Sequence, residues 1–117
     1  MTIKSAFEVS SGVLHIHGSP VSAPYPVAQL IVAGDVAIVR LEVHVGAIFN
    51  RNVLAYASDT QLIWSIPESP YGGTFDKMYV CIEPHDDAMI LARDWNGIEY
   101  LVACATGHLV VSGFRRF

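Results

Sequence analysis

The chain has 117 residues, 52% of them hydrophobic and 15% charged, with a formal net charge of −4. That balance excludes a disordered chain, and an acidic chain whose only basic cluster is Arg115-Arg116 excludes nucleic acid held by a Lys/Arg stripe. The length suits a single domain over 1–117 that builds its core without metal or disulfide staples.

Apolar spacing at i, i+3, i+4 and i+7 is not sustained anywhere. Alternation, β-branched and aromatic residues and closely spaced turn residues predominate, which is an all-β profile. Phe7 to Ser10 and Val13 to His17 predict a hairpin around Ser11-Gly12. The segment 18–26 is expected to be a loop outside any sheet, because Pro20, Pro24 and Pro26 remove ladder donors. Val27 to Val32 and Val36 to Val43 flank a tight turn at Gly34-Asp35, and 46–51 is a connection. Val53 to Ala57 and Leu62 to Ile66 form the next hairpin, followed by the longest loop, 67–76. Met78 to Glu83, Ala88 to Asp94, Ile98 to Cys104 and His108 to Phe114 then run up, down, up, down. Between the middle two, Asn96-Gly97 predicts a type I′ turn with positive φ at both residues. The expected fold is all-β, with about ten strands in antiparallel meanders.

No apolar run approaches the roughly 20 residues that cross a bilayer. The longest candidate, Val27 to Val39, is broken by Gly34-Asp35. The first residues, Met1-Thr2-Ile3-Lys4-Ser5, carry no apolar export core. The expectation is a cytoplasmic protein without a membrane partner. Cys81 and Cys104 lie 23 residues apart in apolar strands, so two buried free thiols are expected.

One pattern occurs twice: an apolar strand, a short polar turn and a second apolar strand. The first copy carries Tyr56, Leu62 and Trp64, and the second Tyr100, Thr106, Gly107 and Leu109. These units resemble blades of quinoprotein-like β-propellers. The stretch with Asn50-Arg51-Asn52-Val53, Leu62-Ile63-Trp64, Gly72-Gly73-Thr74 and Trp95-Asn96-Gly97 also resembles a group of small bacterial proteins of unknown function. The resemblance implies blade-like four-stranded units packed as a sandwich or partial propeller. A closed propeller needs roughly four or more blades, more than this chain holds. The sheets must close compactly on themselves or be completed by another subunit. Nothing in the chain calls for a quinone or any other cofactor.

Several residues are candidates for chemistry. His15-x-His17 would put two imidazoles on one strand face, with His44 as a third metal ligand; a plain exposed strand competes with that reading. His85-Asp86-Asp87 has the composition of a turn. The loop Tyr71-Gly72-Gly73-Thr74-Phe75 pairs permissive backbone with flanking aromatics, as a recognition loop or a wide connection does. Arg51 could anchor a loop or meet a carboxylate such as Asp76 or Asp94, and Trp95 stands at a hairpin tip. No nucleophile–base signature is present, so the leading expectation is a module without catalysis that binds another protein or a second copy of itself. Two further readings are an immunity-type inhibitor of a bacterial toxin, on the acidic charge, and a small metal- or ligand-binding protein using His15 and His17.

Overall fold

The computed structural model describes residues 6–44, 46–68 and 78–114, with the backbone alone from 111 onward. Among these residues eleven strands form three antiparallel sheets. The first sheet holds β1 (Phe7–Ser10), β2 (Val13–Ile16) and β3 (Ser19–Pro20). The middle sheet holds β4 (Val27–Ala33), β5 (Val36–Leu41), β6 (Val53–Ala57) and β7 (Leu62–Ser65). The last holds β8 (Tyr79–Pro84), β9 (Met89–Asp94), β10 (Ile98–Ala103) and β11 (Leu109–Phe114). Each is a meander in chain order, and the three do not close into a barrel or ring among the described residues.

The middle sheet is covered on both faces, and this explains its sequence. Sheets with two buried faces lose polar alternation. Val36-Ala-Ile-Val-Arg-Leu41 and Val53-Leu-Ala-Tyr-Ala57 are apolar at both parities apart from Arg40. Ala37, Val39, Leu41, Leu54 and Tyr56 meet Phe7, Leu14 and Ile16 of the first sheet. Ile38, Val53, Ala55 and Trp64 meet Tyr79, Ile82, Ile90, Tyr100 and Val102 of the last. The result is a stack of three layers with two cores, one on each side of the middle sheet.

Three side chains tie the middle sheet to the last. Asn52 is fully buried; its Nδ2 donates to the carbonyls of Leu41 (3.0 Å) and Tyr79 (2.9 Å), and its Oδ1 accepts from the Tyr79 amide at 2.9 Å. Gln29 does the same for Ile82: its Oε1 accepts from the Ile82 amide at 3.0 Å and its Nε2 donates to the Ile82 carbonyl at 3.3 Å. Two carboxamides therefore stand where a further strand would pair along β8, satisfying an edge that would otherwise be open. Trp64 Nε1 donates to the Cys104 carbonyl at 2.8 Å. Its ring lies over Gly107, where a Cβ would come within 2.7 Å of Trp64.

Local details depart from the sequence expectations in three places. Pro20 belongs to a strand: β3 pairs with β2 at His15↔Pro20, beside a 2.8 Å bond from the Val21 amide to the Leu14 carbonyl. Proline fits because β3 is an edge strand and this position asks no donor of it. His17 has left strand β2; with Gly18 it forms a two-residue turn at φ 48° and 81°. Asn96-Gly97 is not a type I′ turn, since only Gly97 (φ 85°) has positive φ. The cause is Asp94, whose Oδ1 accepts from the amides of Asn96 (2.9 Å) and Ile98 (3.0 Å). It draws Trp95-Asn96-Gly97 into a three-residue loop with glycine last.

Candidate functional site

The first sheet has three strands and the middle sheet four, so the first does not reach across the face of β7. An open cleft of about 690 Å³ remains between β3 and the β6–β7 hairpin. Leu54, Tyr56, Phe49, Leu62, Pro20 and Pro24 give it apolar walls, and Ser19, Ser22, Thr60 and Ser65 contribute hydroxyls. Among the described residues no Asp, Glu, Lys, Arg or His lines it. Burial raises the Tyr56 phenol above its usual pKa, and the hydroxyl has no hydrogen-bond partner among the described residues. Thr60 closes the β6–β7 turn at φ 73°, a strained conformation for a β-branched residue. Strand β7 ends its sheet, and it carries Leu62 (53% exposed) and Ile63 (42% exposed) beside the cleft.

Tyr71, Gly72, Gly73 and Phe75 lie outside the described residues. Arg51 anchors a loop: its Nε donates to the Ile66 carbonyl at 3.0 Å and its Nη2 to the Ser65 carbonyl at 3.3 Å. It does not reach Asp94, which is buried and accepts from its own hairpin and from the Tyr100 hydroxyl at 3.2 Å. Trp95 is 45% exposed at the β9–β10 tip, where its amide donates to the Met78 carbonyl. Trp95 thus stands at the end of the stack where the last sheet begins, away from the cleft lining, whereas Arg51 holds the carbonyl of Ser65 at the end of the cleft.

The histidines are dispersed. His15 is half-buried on β2 with Nδ1 3.2 Å from the Val13 carbonyl, and His17 sits in the following turn. The His44 ring packs tilted against Tyr25, with ring centroids 5.4 Å apart and an interplanar angle of 58°. Among the described residues no three His, Cys, Asp or Glu side chains are grouped to hold a metal ion. Both cysteines are free; Cys104 is buried, its thiol raised by desolvation and then by the nearby Asp86 charge, while Cys81 is half-buried. The cleft was not foreseen from the sequence. Its one trace there is the doubled parity of Val53-Leu-Ala-Tyr56, which says that Leu54 and Tyr56 face a second layer.

Fold and site together define an all-β protein of three stacked meanders with an uncharged cleft at one open edge. No helix among the described residues is long and apolar enough to cross a membrane. The chain belongs to a family defined by a domain of unknown function (DUF7957), whose model matches residues 4–114. No curated protein and no solved structure matches it.

Proposed function

We propose that this protein acts without catalysis, as a β module that binds another protein or a second copy of itself. The observation that carries this reading is the β7 edge, where Leu62 and Ile63 are exposed next to the uncharged cleft. An open strand edge supplies main-chain pairing, and adjacent apolar pockets select side chains, the pattern of β-strand addition. The opposite wall is unsuited to pairing, because Pro20 carries no N–H. An extended segment with apolar side chains would therefore pair with β7 and turn those side chains toward Tyr56 and Leu54.

The test is site-specific photocrosslinking in the cell that makes the protein, with a benzophenone amino acid at Leu62. A discrete adduct that disappears when Ile63→Lys is added supports the reading. A monomer band alone, the same as from the exposed turn residue Asp59, refutes it.

A further inference from the structure

The last sheet has the apolar patterning of a sheet covered on both faces, and among the described residues only one face is covered. In register, its outer face presents three rows. Cys81, Arg93, Glu99 and Gly113 form the first, Glu83, Leu91, Leu101 and Val110 the second, and Met89 and Ala103 the third. The inner face is given by Ile82, Ile90, Ala92, Tyr100 and Val102, all buried in the core. Met89-Ile-Leu-Ala92 and Tyr100-Leu-Val-Ala103 are thus apolar on both parities, as β5 and β6 are, yet no described strand packs across the outer face. Val110 there is 55% exposed.

We infer that this face is a two-fold interface with a second copy of the chain. The inference rests on the self-associating form of the reading above and names its surface. Charge placement is what selects a second copy. A two-fold axis parallel to the strands, midway between β9 and β10, lays β9 on the partner's β10. Arg93 then faces Glu99 of the partner subunit, and Leu91 faces Leu101 of the partner subunit. Met89 faces Ala103 of the partner subunit, large against small, so the rows interdigitate. Within one chain Arg93 Nη2 already lies 3.3 Å from Glu99 Oε2 and 3.7 Å from Glu83 Oε1, so the face loses water with its cation balanced. Four strands at ~4.8 Å spacing and about six residues at ~3.3 Å rise give a footprint of roughly 400 Å² per copy. Two such footprints, about 800 Å² before surface relief, approach the lower limit for a specific interface and place this dimer among the weak, concentration-dependent ones.

The experiment is light scattering across a concentration series, with circular dichroism to confirm the fold. The wild-type mass is expected to rise toward that of two chains. Leu101→Lys, on the outer face and away from the core, is expected to stay monomeric. Arg93→Glu and Glu99→Arg are each expected to be monomeric alone. Mixed, they are expected to form a one-to-one heterodimer, because each now presents the charges that the other lacks. A monomeric wild type overturns the inference and leaves the β7 reading to its own crosslinking test. A dimer that survives Leu101→Lys, or singly reversed variants that do not complement, overturns this face while self-association stands.

Discussion

Asn52 carries the sharpest stability prediction. It holds the middle and last sheets together through both polar groups of the Tyr79 peptide and the Leu41 carbonyl. Replacing it with leucine keeps the volume close and removes all three bonds. At least the Tyr79 amide and carbonyl are then left buried, and a buried unsatisfied group costs about 1–3 kcal/mol. The expected loss is about 2–5 kcal/mol, a large share of the roughly 5–15 kcal/mol that holds a domain of this size. At about 4–8 °C per kcal/mol, the midpoint of thermal unfolding falls by at least ~8 °C. Urea titration followed by tryptophan fluorescence measures the same quantity. Asn52→Asp adds a sign test. A carboxylate there accepts from the Tyr79 amide but turns its charge toward two carbonyls, so burial favours the protonated acid and raises its folded pKa above the unfolded value of about 3.9. The unfolded state then releases its proton first, and the variant is most stable below about pH 4 and weakens as pH rises. A loss below ~1 kcal/mol for Asn52→Leu would refute the view that this amide joins the sheets.

Two further outcomes follow from the turns and the buried phenols. Gly107→Ala combines φ 74° with a Cβ 2.7 Å from Trp64, whereas Gly34→Ala, at φ 59°, meets nothing within 4 Å. Denaturant unfolding should show a loss of about 1–2 kcal/mol for Gly34→Ala, and a clearly larger one with a changed Trp64 emission for Gly107→Ala; equal losses would refute the packing argument. Tyr56 and Tyr79 both have pKa values raised first of all by burial, with Tyr100, Asp94 and Glu68 adding to Tyr79. The unfolded phenols ionise at about pH 10 while the folded ones stay neutral, so stability is full below that pH and falls above it. Ultraviolet titration of the native protein should show the phenolates of these two rings appearing at a pH above the value of about 10 at which a solvent-exposed tyrosine ionises; ionisation of all tyrosines together near pH 10 without unfolding contradicts their burial.

Most of the architecture is legible in the residues. The meanders at Val27 to Ile66 and Met78 to Phe114 follow from period-two runs bounded by turn residues, and they appear as the middle and last sheets. The errors arise where one side chain overrides a dipeptide rule. Asn96-Gly97 has the composition of a type I′ turn, but the Asp94 carboxylate two residues earlier takes the free amides and dictates another loop. Pro20 argues against a strand until β3 is known to be an edge. The cleft is a difference in width between two sheets, and no local pattern encodes how far one layer extends over the next. The carboxamide ties are equally hidden: Gln29 and Ile82 are 53 residues apart, and Asn52 and Tyr79 are 27 apart.

The two ends of the stack differ in a way that limits how the protein can assemble. The outer face of the first sheet is mixed rather than apolar: Glu8 stands opposite His15, Ser10 opposite the exposed Val13, and Pro20 flanks the edge. Its large core residues, Phe7, Leu14 and Ile16, are already spent on the middle sheet. A head-to-tail contact, last sheet on the first sheet of the next copy, would set the polar Glu8 and His15 against the apolar Leu91-Leu101 row. Such a contact would also repeat without closing and build fibres. The two-fold pairing of last sheets closes after two copies and leaves both first sheets facing water. It also leaves both clefts open, because each lies on the first-sheet side of the middle sheet, away from the paired last sheets, and it leaves both β7 edges uncovered. Self-pairing through the last sheet and strand addition at β7 are therefore compatible in one assembly, and a dimer so formed would present two equivalent β7 sites to a third chain.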